Sequence, residues 1–124
     1  MQDFRKLKVW EKAHALAIDI FRDSESFPNR AGLALSAQLR RSALSISANI
    51  AEGAGKPGAR EFRRFLEISL GSAAETHNHL LVAHDLNLLT TARYSELSDR
   101  LVEVRRMLTG LIKRVNESQP STLH

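Results

Sequence analysis

The sequence predicts an all-α fold, an antiparallel up-down-up-down four-helix bundle in a chain of 124 residues. Three observations predict it. Apolar residues recur at alternating spacings of three and four over long stretches, the period of a helix with one buried face. Gly and Pro are confined to a few points, which divide the chain into helix-length segments joined by short loops. No segment has the two-residue alternation of a half-buried strand. Long helices joined by short loops pack as antiparallel neighbours.

The elements follow in order. A first helix over about 4–25 carries Phe4, Leu7, Trp10, Ala13, Ala17 and Phe21, with Asp3 placed to cap it. Phe27-Pro28-Asn29-Arg30-Ala31-Gly32 breaks the chain. A second helix over 33–53 follows, with Leu35, Leu39, Ala43, Ile46 and Ile50 on one stripe. The loop Gly53-Ala54-Gly55-Lys56-Pro57-Gly58 contains glycines able to take a positive φ and a proline unable to continue a helix. Gly58, with Glu61 three residues on, starts a third helix over 59–86, whose broader face includes Phe62, Phe65, Leu66, Ser69, Ala73, Leu80, Leu81 and His84. A polar stretch, Asn87 to Ala92, makes the third break, and Thr90 can cap a fourth helix over 91–115. There Tyr94, Leu97, Leu101, Val104, Leu108, Leu111 and Val115 form an unbroken heptad seam. Residues 1–116 read as a single domain, and 117–124 as a disordered tail with little to bury.

Composition narrows the function classes. The chain has no cysteine, which removes disulfides and thiolate zinc sites and fits a reducing cytoplasmic setting. No run of 18 apolar residues offers a membrane span, and no apolar signal core opens the chain. The net charge of +4 permits an acidic partner without requiring one. Residues 1–64 hold twelve Lys/Arg against seven Asp/Glu, and residues 65–124 six against seven, so the basic excess belongs to the first half.

Helices one and two also carry apolar residues outside their main stripes: Val9, Leu16, Ile18 and Ile20 on one, Leu33, Leu44 and Ala48 on the other. A lone bundle needs an apolar face about three residues in seven wide. The surplus predicts a second burial surface, as in an oligomer; a tilted or snugger core is the alternative.

Several motifs resemble the 23S rRNA intervening-sequence protein family, also called four helix bundle proteins. They are Leu7-Lys8-Val9-Trp10-Glu11-Lys12-Ala13, Phe27-Pro28, Gln38-Leu39-Arg40-Arg41-Ser42-Ala43, and above all Ser45-Ile46-Ser47-Ala48-Asn49-Ile50-Ala51-Glu52-Gly53. Phe65 to Ser72 and Met107 to Lys113 complete the likeness, in the family's order and spacing, over about residues 4–115. The resemblance implies a left-handed bundle that assembles as a homopentamer. It also implies no catalytic residues, and kinship with retroelement accessory variability proteins that bind nucleic acid and a reverse transcriptase. The chain departs from the family pattern at Ala31, Leu33 and Ala34, and at Thr76-His77-Asn78-His79.

Four groups of residues invite a functional reading. Ser42, Ser45, Asn49 and Glu52 repeat at three, four and three, a polar stripe beside the apolar one. Ser45, Asn49 and Glu52 are assigned to a hydrogen-bonded seam between helices or subunits, with Glu52 requiring a donor such as Arg40 or Arg41. The alternatives are a solvated face ending in a Gly53 C-cap, and a ligand site. Lys56, Arg60, Arg63 and Arg64 cluster at the start of helix three, where the helix dipole disfavours cations, so a phosphate is a natural visitor. Arg40 and Arg41 extend this candidate nucleic-acid surface; ordinary solvated charge is the bland alternative. His77 with His84, and Glu75 with His79, have ligand spacing, but no second helix offers a Glu-x-x-His, so no metal or other cofactor is assigned. The glycine loop lacks Walker spacing, and no nucleophile–base set can be assigned, so the chain reads as non-enzymatic. The leading expectation is a homo-oligomeric scaffold binding RNA or DNA without base readout. A protein-interaction adaptor is the rival, and a metal or small-ligand bundle a distant third.

Overall fold

The computed structural model describes residues 2–118. A 3-10 turn, Phe4–Lys6, precedes four helices: α1 Lys8–Ser24, α2 Asn29–Ala54, α3 Ala59–Asp85 and α4 Thr91–Glu117. Each helix packs against the next and α1 closes on α4, with every neighbouring pair antiparallel. The fold is the expected all-α bundle. The tail expected from 117 onward begins inside α4, which runs to Glu117, and residues 119–124 lie outside the described part.

Local chemistry explains where the helices begin and end. Asp3 accepts a hydrogen bond from Arg5 N and pairs with its guanidinium, which holds the Asp3 carboxyl below the usual carboxylate range. Asp3 therefore caps the 3-10 turn, and α1 starts only after Leu7, whose backbone is extended. α2 begins at Asn29, four residues before Leu33. Asn29 takes φ 54°, which Asn tolerates, and its Oδ1 accepts from Gly32 N at 3.0 Å. At the far end of α3, Asn87 (φ 62°) lets Leu88 N reach Ala83 O at 2.8 Å, a Schellman-type stop. Thr90 caps α4 through Arg93 N.

The α4 seam is buried as its period predicts: Leu97, Leu101, Val104, Leu108 and Val115 face the interior. On α1 the buried positions are Val9, Ala13, Leu16, Ala17, Ile20 and Ser24. This differs from the stripe expected through Phe4, Trp10 and Phe21. Ala13 and Ala17 belong to both stripes, so period alone could not choose between them. Trp10 is only half-buried, against Phe4 (4.9 Å between centroids) and stacked on His14 (4.7 Å), while Phe21 lies at the surface under the Arg40 guanidinium. Three of the supposed surplus residues, Val9, Leu16 and Ile20, are thus the α1 core itself.

The α2–α3 pair is the most extensive. Gly53 sits within α2, where an added Cβ would stand 2.8 Å from Phe65 Cβ. It is a contact point between helices and not the cap of α2, which ends at Ala54 without any positive-φ glycine. The α1–α4 pair is held at its edge by ion pairs: Arg93 with Asp23, Arg100 with Asp19 at 2.6 Å, and Lys12 with Glu103 at 2.9 Å. Such partly exposed pairs each contribute at most about 1 kcal/mol. Among the described residues no buried side-chain N or O atom lacks a hydrogen-bond partner, and no helix is long and apolar enough to cross a membrane.

Arg40 belongs to this framework. Its Nε donates to Ser24 Oγ at 2.8 Å and an Nη to Phe21 O at 2.7 Å, satisfying the end of α1. Arg40→Met is expected to lower the unfolding free energy by about 1.5–3 kcal/mol, because a charged hydrogen bond is lost from a carbonyl that has no backbone donor and only the longer Ser24 Oγ contact at 3.3 Å. Urea unfolding followed by circular dichroism reads this directly.

Candidate anion-binding end of the bundle

The antiparallel arrangement brings the start of α1, the α2–α3 loop and the end of α4 to one end of the molecule. Residues 2–14, 43–70 and 104–118 make up that half, with twelve Lys/Arg against six Asp/Glu. The opposite half, residues 15–42 and 71–103, holds six against eight. Charge is therefore segregated by bundle end. The division between first and second halves of the sequence conceals this, because α4 carries Glu96, Asp99 and Glu103 before Arg105, Arg106, Lys113 and Arg114.

Four of the six cations assigned from sequence do meet there. Arg60, Arg63 and Arg64 line a cleft of about 510 Å³ with Glu61 and Glu67. Their charge is partly answered: Arg64 pairs with Glu61 at 3.2 Å and Arg63 donates to Asn116 Oδ1 at 2.9 Å. Lys56 pairs with Glu52 at 3.4 Å, and Lys56 and Arg64 both lie over the Phe65 ring, at 5.5 and 4.7 Å. Phe65 is thus half-covered by cations, and Phe62 is buried.

Arg40 and Arg41 do not extend the cluster. About 24 Å of helix axis separates Arg40 from Lys56, at 1.5 Å per residue. Arg40 is engaged with the end of α1, and Arg41 is exposed at the middle of α2.

Of the seam residues, Ser45 reaches α3, Asn49 braces Ser45 from the same helix, and Glu52 does neither. Ser45 Oγ is 2.8 Å from Ser72 Oγ, and Asn49 Nδ2 donates to both Ser45 O (2.8 Å) and Ser45 Oγ (2.9 Å). Deeper, Thr76 donates to Ser42 Oγ at 2.9 Å and Ser69 to Ile46 O at 2.8 Å. These contacts join α2 to α3 of the same chain. Glu52 is exposed and pairs with Lys56, and Arg40 and Arg41 of the same chain do not reach it. Ser69 is on the face expected to be buried, but Ser72 and Thr76 escape sequence reasoning, although the three- and four-residue spacing of the three matches the α2 stripe.

A second basic feature is hidden in the sequence because its residues lie far apart along the chain. Lys6, Lys8, Arg106 and Arg114 rim a groove of about 540 Å³ between the start of α1 and the end of α4. No acidic residue lines it. The neighbouring cleft of about 330 Å³, which includes Lys56 and Phe62, shares Arg114 and Leu111 with it. Pairing the first turn of one helix with the last turn of another would have located it, since an up-down-up-down bundle requires that meeting.

The histidines are dispersed. His77 meets Ser98 at 2.9 Å, His79 meets Glu75 at 3.2 Å, and His84 meets Thr91 at 3.1 Å and Tyr94 at 5.0 Å between ring centroids. Among the described residues no three His, Cys, Asp or Glu side chains converge as metal ligands would.

Comparison with known proteins agrees with this architecture. The chain is similar over 85% of its length to a solved protein of unknown function from the S23 ribosomal protein family of Bacteroides thetaiotaomicron. The two share 27% identity and a TM-score of 0.79, and 95% of that chain is covered. No curated protein matches. The model of the 23S rRNA-intervening sequence protein family matches residues 5–110, and this chain belongs to that family.

Proposed function

We propose that this protein acts by binding and not by catalysis, as a cytoplasmic homo-oligomeric scaffold that holds RNA or DNA through phosphates without reading bases. The observation that carries the reading is the segregated charge, twelve Lys/Arg against six Asp/Glu at one bundle end. A phosphate backbone responds to such a surface through counterion release, independently of sequence. Arg60, with no ion-pair partner among the described residues, and Arg63 and Arg64 beside it supply flexible, always-charged donors. Repetition in an oligomer, pentameric by resemblance to the family, would multiply weak contacts by avidity. Support for association comes from Ile18 and Phe21 on α1 and Leu33 and Leu44 on α2, all exposed.

An RNA gel shift at about 50 and 200 mM salt tests the nucleic-acid reading. Affinity is expected to fall steeply between the two, and Arg60/Arg63/Arg64→Ala to flatten the salt slope by about two to three. RNA binding indifferent to salt, or unchanged in the triple variant, would refute it.

A further inference from the structure

The groove between α1 and α4 differs from the Arg60–Arg64 cleft in the chemistry of its floor. Leu7, Val9, Met107 and Leu111 form that floor. It contains no aromatic ring on which a base could stack, and no Ser, Thr, Asn or Gln to read a base edge. The rim is purely cationic: Lys6, Lys8, Arg106 and Arg114 take part in no ion pair among the described residues. A nucleic acid would satisfy the rim and leave the floor wet. An aliphatic segment without charge would cover the floor and ignore the rim.

We propose that this groove docks an acidic, leucine-type peptide segment of a partner protein, with aliphatic side chains on the floor and carboxylates against the rim. Charge complementarity names the occupant, and Met107 gives the floor a surface that adapts to irregular aliphatic shapes. Arg106 and Arg114 are about 12 Å apart along the helix axis, so a helical segment of about eight residues covers the site. Gly110 leaves one wall open: an added Cβ would meet only the end of the Arg114 side chain, at 3.5 Å.

Fluorescence anisotropy tests this with a panel of labelled synthetic peptides about ten residues long, combining Asp or Glu with Leu at helical and alternating spacings. Matched peptides carry Ser in place of Leu, and a labelled oligo-uridylate is the nucleic-acid probe. The proteins are the natural chain, Lys8→Glu/Arg106→Glu, and Gly110→Trp, which fills the groove from its open wall. At least one acid–leucine peptide is expected to bind about tenfold or more tighter than its serine match, and each variant to weaken it about tenfold without a lowered thermal unfolding midpoint. The changed positions are exposed or open, so folding is expected to survive. Equal binding of the serine peptides, no binding by any of the panel, or indifference to Gly110→Trp would overturn the proposal. Oligo-uridylate binding lost in Gly110→Trp would assign the groove to nucleic acid and overturn it too. A charge-reversed variant that loses oligomer mass while no peptide binds would assign the groove to a second copy, which equally rules out the peptide. The Arg60/Arg63/Arg64→Ala variant changes a cleft that shares no residue with this groove, so failure of the peptide proposal and failure of the nucleic-acid reading are read separately.

Discussion

Gly53→Val is expected to lower the unfolding free energy by about 3 kcal/mol, the upper end of the range for overpacking a well-filled core. The first side-chain atom would stand 2.8 Å from Phe65 Cβ, 3.1 Å from Phe62 Cδ1 and 3.2 Å from Phe62 O. Two of these neighbours are a Cβ and a backbone oxygen, which cannot swing aside as the end of a long side chain can. α2 and α3 must separate there, and that strains the Ser69–Ile46 hydrogen bond about two turns along α2. Relief from glycine's poor helix propensity returns only a few tenths of a kcal/mol for valine. Gly71→Ala is the internal control. Nothing lies within 4 Å of its Cβ position, so it is expected to stabilise the protein by about 0.5–1 kcal/mol. Urea unfolding of the two variants reads both signs. A Gly53→Val protein as stable as the natural chain would mean that the close α2–α3 approach is wrong.

The second large effect is on assembly. Leu33→Glu/Leu44→Glu is expected to bring the solution mass down to that of one chain, 13.9 kDa, while leaving helical content intact. Leu33 and Leu44 are 61% and 51% exposed and lie eleven residues apart, three turns along one face of α2. In a solitary bundle two exposed leucines can become glutamates at a cost within about 0.5 kcal/mol each. Buried against another copy, the same change places unpaired carboxylates in an apolar contact, which costs far more. Light scattering on both proteins decides the matter. A natural chain already of single-chain mass, or a variant of unchanged mass, would remove this face from the interface.

How much was legible beforehand depended on how many answers the pattern allowed. α4 carries one apolar stripe, and Leu97, Leu101, Val104 and Leu108 are buried where the period puts them. α1 carries two overlapping stripes that share Ala13 and Ala17, and the structure buries the one through Leu16 and Ile20. The Ser42–Ser45–Asn49 stripe announced itself as unusual on a helix, but Thr76, which meets Ser42, and Ser72, which meets Ser45, belong to α3 and only packing pairs them. Gly53 shows the same gap. A glycine near the end of a helical run reads as a cap, and only the approach of Phe65 reveals why a side chain is excluded.

By itself the sequence determined four helices, their order, their approximate limits and their antiparallel sense, since these follow from local period, breaker residues and loop length. Tertiary structure alone decided the rotation of α1, the close contact at Gly53, the detachment of Arg40 and Arg41 from the basic cluster, and the meeting of Lys6 and Lys8 with Arg106 and Arg114. The physical reason is that a helical period is a property of one segment. Which residues of different helices share a surface is fixed by how those segments turn and slide against one another to fill the core.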